Sequence, residues 1–117
     1  MRVYISQPMR GKTKKEIEAK LVPICTVLER AGYAVTMGYM DGGAPDDANK
    51  ALWSLGKSIS ILSECDALLY IGEWNGVSDV PQGCKVEMDC ADYYGIPVYK
   101  GEAGLAKLCL MGLKEHL

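Results

Sequence analysis

The chain has 117 residues, room for one domain, with 49% hydrophobic and 24% charged residues, the usage of a folded globular protein rather than a disordered one. Thirteen Lys and Arg against 15 Asp and Glu leave a net charge of −2, so there is no basic footprint for nucleic acid. The longest apolar runs, such as Ala67 to Ile71, are about five residues, far short of the ~20 needed to cross a bilayer.

A chain of this size buries roughly 65% of its extended-chain surface, so its core needs no metal or disulfide staple. Strand-like residues follow Met1 at once and leave no space for a signal peptide. The expectation is a single cytoplasmic domain, residues 1–117, with no membrane partner.

Val3-Tyr4-Ile5 is a β-branched and aromatic opening, ended by Gln7-Pro8 and Gly11. Thr13 reads as a helix N-cap, with Glu16 completing a capping box. Ile17, Leu21, Ile24 and Leu28 follow at helical spacing until Ala31-Gly32. Pro23 conflicts with this helix and should kink it or delay its start. Tyr33 to Met37 is a second strand, and Gly38 to Asn49 is a loop with Gly42-Gly43, Pro45 and three aspartates.

Leu52, Leu55, Ile59 and Leu62 mark one face of a second helix. Asp66 opens a continuous apolar strand to Ile71, of the kind buried on both faces. Gly72 to Gly83 is a loop rich in Gly, Asn, Ser, Asp and Pro. Val86, Cys90, Ala91 and Tyr94 suggest a helix starting near Gly83 and closed by Gly95. Ile96 to Tyr99 is a fourth strand, and Leu105 to Leu113 belongs to a last helix.

This β-α alternation predicts an α/β fold: a Rossmann- or flavodoxin-like parallel sheet of four to five strands with helices on both faces. Ligands in such sheets bind outside the carboxyl ends of the strands, where strand order reverses. The loops Ser6–Lys12, Gly38–Asn49 and Gly72–Gly83, and the segment after Tyr99, are therefore the ones that count.

Two residue counts narrow the chemistry. The one histidine, His116, is penultimate, where a chain end is usually frayed, so a histidine-activated nucleophile or a His-rich metal site is not expected. Cys25, Cys65, Cys84, Cys90 and Cys109 are an odd number without a C-x-x-C pair, and read as reduced core residues rather than metal ligands. No metal or other cofactor is expected.

In the first loop, Ser6, Gln7, Pro8, Met9, Arg10 and Gly11 lead into a helix whose N-terminus favours an anion, and Arg10 can grip phosphate oxygens. The loop is neither a P-loop nor a dinucleotide fingerprint, and a tight turn with a solvated arginine is the plainer alternative. Glu87 lies about one turn into the helix after Gly83, at the carboxyl edge of the sheet. It is the leading candidate for a nucleophile or base, although a first-turn glutamate favoured by the helix dipole is equally common.

Asp66 sits at the amino end of its strand and reads as structural, a cap for a neighbouring helix. Asp41, Asp46, Asp47 and Asp79 lie in loops that can reach the site, and are more often solvated. Trp74 could stack on a flat base or simply cover the core edge. The Tyr4 hydroxyl needs a partner if buried, and Glu87 across the cleft would satisfy it.

Together, Val3-Tyr4-Ile5-Ser6-Gln7-Pro8-Met9-Arg10-Gly11, Asp66 before an apolar strand, and Gly83…Glu87 before Gly95-Ile96-Pro97 resemble the nucleoside 2-deoxyribosyltransferase superfamily. The branch most alike includes the 2′-deoxynucleoside 5′-phosphate N-hydrolases and small bacterial and phage proteins, over about residues 2–100. The resemblance implies a flavodoxin-like homodimer acting on a nucleoside or nucleoside 5′-phosphate, without nucleic acid. It implies Glu87 as the nucleophile at the anomeric carbon and Tyr4 as the residue that orients it. Gln7, Pro8, Met9 and Arg10 would line the pocket, with Arg10 and the Gly83 backbone near a 5′-phosphate.

The chain departs from that pattern at Ser58, where the family often carries an aspartate that holds a sugar hydroxyl. A second family acid has no clear match, with Pro81 at its place and Asp79 nearby. The expected activity is that of an N-glycosidase or glycosyltransferase using a glutamate nucleophile. The alternatives are a protein that binds a nucleotide or ADP-ribose-like ligand without turnover, and a purely structural subunit.

Overall fold

A computed structural model describes residues 1–8, 11–38, 42–72 and 80–115. In chain order it contains β1 (Arg2–Ser6), α1 (Lys14–Arg30), β2 (Ala34–Met37), α2 (Lys50–Leu62), β3 (Ala67–Tyr70), α3 (Gln82–Tyr93), β4 (Val98–Lys100) and α4 (Gly101–Glu115). The four strands among the described residues form one parallel sheet in the order β2-β1-β3-β4. Val3 pairs with Val35 on one side and with Ala67 on the other.

The pleat sends alternate residues of the central strands to opposite faces. Val3 and Ile5, with Ala67 and Leu69, pack against Leu21 and Leu28 of α1 and Leu108 of α4. Tyr4, Leu68 and Tyr70 pack on the other side against Leu62 of α2 and Cys84, Met88 and Ala91 of α3. Leu68 and Leu69 are both fully buried, each contributing about 1.5–3 kcal/mol of transfer free energy. The layers are thus α1/α4, sheet, α2/α3. No helix among the described residues is long and apolar enough to cross a membrane.

Thr13 caps α1 by accepting from the Glu16 amide at 3.1 Å. Asn49 does the same for α2, accepting from the Leu52 amide at 3.0 Å. Contrary to expectation, Pro23 does not delay α1, which runs through it for 17 residues. Pro23 and Ala19 both lie on the exposed side, so the carbonyl that loses its donor is open to water.

Other sequence expectations need correction. Leu52 is 66% exposed, because α2 turns Ser58 and Leu62 inward instead. Tyr94 is 78% exposed, since α3 ends at Tyr93 and its inward face is Cys84, Glu87, Met88 and Ala91. Asp66 caps no helix: its Oδ2 accepts from the Arg2 amide at 2.7 Å, fastening β3 to the start of β1. There is no loop after the fourth strand, because β4 begins at Val98 and passes directly into α4 at Gly101, whose φ of +64° makes the turn.

The order β2-β1-β3 reverses direction between β1 and β3. After β1 the chain crosses α1 to β2 on one side, then returns through α2 to β3 on the other. The carboxyl ends of β1 and β3 therefore border the crevice where such sheets take their ligands. Gly72 lies at that edge. A side-chain carbon there would collide with the Tyr70 hydroxyl and lie 2.9 Å from Cδ of Pro8, so the two segments approach only because it has none.

Candidate active site

A cavity of about 500 Å³ opens at this crevice on the α2/α3 side of the sheet. β1 and the residues after it supply Tyr4, Ile5, Gln7 and Pro8, while α2 supplies Ser54, Leu55 and Ser58. The start of α3 supplies Gln82, Gly83, Cys84 and Glu87, behind Pro81. Pro81 occupies the N-cap position of α3 and offers no side-chain cap. The first amides of α3 therefore have no intrahelical acceptor and carry the positive end of the helix dipole at the cavity wall.

Glu87 is the sixth residue of α3, one residue deeper than a start at Gly83 would place it, on the helix face that otherwise carries Cys84, Met88 and Ala91. That position drives its carboxyl against the sheet, where it is 8% exposed. The Tyr4 hydroxyl donates to Oε2 of Glu87, and the Ser6 hydroxyl donates to Oε1 at 3.2 Å. Tyr4 and Ser6 can both do so because they are two residues apart on β1 and share one face of the sheet.

Burial raises the Glu87 carboxyl above the ordinary range for glutamate, and the hydrogen bonds from Tyr4 and Ser6 pull it partly back. Burial, reinforced by the negative charge of Glu87, holds the Tyr4 hydroxyl far above its usual value, so it stays a proton donor. Ser58 is buried and hydrogen-bonds the Tyr4 hydroxyl from the α2 side. Cys84, one turn before Glu87, is 4% exposed, and burial keeps its thiol protonated. Gln7 is 4% exposed, and its Nε2 has no hydrogen-bond partner among the described residues.

The structure thus brings Tyr4, Ser6, Gln7, Pro8, Ser58, Gly83 and Glu87 to one place. Gly11, Asp46 and Asp47 are exposed and do not line the cavity. Met9, Arg10, Asp41, Trp74, Asp79 and His116 lie outside the described residues. Cys84, Ser54 and Leu55 were missed from sequence. The signal for Cys84 was present, because it stands three residues before Glu87 and so shares its helix face. Ser54 and Leu55 likewise stand one turn before Ser58. The five cysteines are free thiols.

No protein-family model matches the chain, and no curated protein matches it. Among solved structures it is similar to a conserved protein from Enterococcus faecalis V583, with a TM-score of 0.55 and 17% identity over 85% of this chain. The chain spans 61% of the length of that protein. At such identity the likeness bears on fold alone, a Rossmann/flavodoxin-like α/β sheet between helix layers.

Proposed function

We propose that the chain is an N-glycosidase or glycosyltransferase acting on a nucleoside or nucleoside 5′-phosphate, with Glu87 as nucleophile. The observation that carries this reading is a buried carboxylate, gripped by Tyr4 and Ser6, at the wall of a cavity at the sheet's switch point. Cleaving an N-glycosidic bond passes through an oxocarbenium-like state, which an adjacent carboxylate stabilises. An oxygen of Glu87 bonds to the anomeric carbon as the carbon–nitrogen bond breaks and its electron pair departs with the base. Water or a nitrogen of a second base then attacks the same carbon, loses its proton to solvent, and returns the electron pair of the ester to Glu87.

Tyr4 and Ser6 fix the carboxylate, and the partly apolar walls, Ile5, Pro8, Leu55 and Pro81, keep water away from it. A 2-deoxy sugar suits this chemistry, because no electron-withdrawing 2-hydroxyl opposes the developing cation. The uncapped amides at the start of α3 suit an anionic group such as a 5′-phosphate.

The test is incubation with a panel of nucleosides and their 5′-monophosphates, read by chromatography for free base. Release that disappears in Glu87→Ala, while ligand affinity survives, supports the assignment. Unchanged turnover in that variant refutes it.

A second reading, capture of a nucleotide or ADP-ribose-like molecule without turnover, is favoured by Ser58, which puts a neutral hydroxyl against Tyr4. Intact ligand after overnight incubation, despite measurable affinity, would select it.

A further inference from the structure

Gln7 is the buried polar side chain at this site, among the described residues, whose hydrogen bonding is incomplete. It follows β1 directly, lines the cavity and is 4% exposed, yet Nε2 meets no acceptor among the described residues. A buried amide donor without a partner is costly, a cost that methionine, of similar shape, would avoid. Such a cost is accounted for when a ligand brings the missing acceptor.

The hydroxyls around Glu87 are committed elsewhere. The Tyr4 and Ser6 hydroxyls serve Glu87, and Ser58 serves Tyr4. No lysine, arginine, histidine or second carboxylate is among the described lining residues. Among the described lining residues the departing base therefore meets a neutral donor and not an acid.

We propose that Gln7 Nε2 donates a hydrogen bond to the leaving base and thereby sets substrate class: bases with a carbonyl beside the glycosidic nitrogen, as in pyrimidines. This rests on the N-glycosidase reading above. As the carbon–nitrogen bond breaks, its electron pair moves into the base, and much of the charge settles on that carbonyl oxygen. A neutral amide N–H stabilises this charge without giving up its proton, and solvent protonates the base after release. A purine departs readily once its ring is protonated, a step that needs an acid.

The experiment compares wild type, Gln7→Met, Gln7→Glu and Glu87→Ala on 2′-deoxyuridine, 5-fluoro-2′-deoxyuridine and 2′-deoxyadenosine and their 5′-monophosphates. Wild type should release uracil faster than adenine. Gln7→Met should lower kcat on the uracil substrates by about 100-fold, the usual scale for one donor to a developing anion. The loss should be smaller with 5-fluorouracil, a more acidic leaving group, and KM should change little.

Gln7→Met should also melt no lower than wild type, which separates lost chemistry from lost folding. Gln7→Glu, which keeps an acceptor and removes the donor, should be as slow as Gln7→Met. Release that depends on Glu87 but is unaffected by either Gln7 variant overturns this inference alone. So does adenine release as fast as uracil release, or full activity in Gln7→Glu. No base release by wild type from any of these substrates overturns both readings.

Discussion

The Tyr4 hydroxyl donates to a carboxylate oxygen of Glu87, a residue 83 positions away in sequence. That bond joins a central strand to the face of α3, and it bears on the ionisation of the carboxylate. A hydrogen bond to the charged form favours it, so Tyr4 works against the upward push of burial. Removing the hydroxyl should let the Glu87 carboxyl rise further.

In the proposed reaction Glu87 attacks as the carboxylate, so Tyr4→Phe is expected to move the acid limb of kcat/KM for base release to higher pH. A hydrogen bond to a charged group is worth about 1.5–3 kcal/mol, and each pKa unit about 1.4 kcal/mol. The displacement should be about one to two pH units. A pH–rate profile with an unmoved acid limb would deny Tyr4 this role.

The same buried carboxyl makes a statement about stability. Its folded-state pKa is raised, so between about 4.5 and that higher value the native chain binds more protons than the unfolded one. Stability must then fall as pH rises through this window. Glu87→Gln, which keeps the shape and can still accept from Tyr4, lacks the titration. Its melting temperature should gain on wild type as pH increases from 4.5, and should exceed it at neutral pH. Parallel melting curves across that range would show that burial does not disfavour the charged carboxylate.

The fold was legible because its signals are local. Alternation of apolar strands with periodic helices specifies the layers, and Thr13 stands where the cap of α1 is found. The site was legible in part. The pairing of Tyr4 with Glu87 across the cleft was readable from their places at the sheet edge, whereas the Ser6 bond and the inward face of α3 that carries Glu87 were not. What the sequence could not supply is pairing across distance. That Asp66 holds the Arg2 amide depends on β3 lying beside β1. That Leu52 faces outward while Ser58 faces inward depends on which side of α2 the sheet covers.

Pro23 offers a prediction about stability alone. It interrupts the hydrogen-bond ladder of α1 at the Ala19 carbonyl without ending the helix. Proline in a helix interior costs about 3 kcal/mol, part of which is relieved here by exposure to water. Pro23→Ala should restore the bond and stabilise the protein by about 1–3 kcal/mol, or roughly 4–12 °C in Tm for a domain of this size. Because Pro23 lies on the opposite side of the sheet from the cavity, base release should not change. A lower melting temperature would mean that the ring fills a contact the helix needs.

Ser58 allows the electrostatics of the site to be reversed. It hydrogen-bonds the hydroxyl that serves Glu87, so an aspartate at this position would set two carboxylates around one phenol. Like charges at that separation do not both ionise easily, and one of the two must hold its proton to higher pH. Ser58→Asp is therefore expected to lower the melting temperature at neutral pH. Acidification from pH 7 to 5 should narrow that deficit as one carboxyl takes up a proton. The acid limb of base release should move upward too, in the same direction as in Tyr4→Phe. If Ser58→Asp instead leaves the limb in place and accelerates release, the added carboxylate must act on the sugar and not on Glu87, and the serine marks a contact to substrate that this chain makes only weakly.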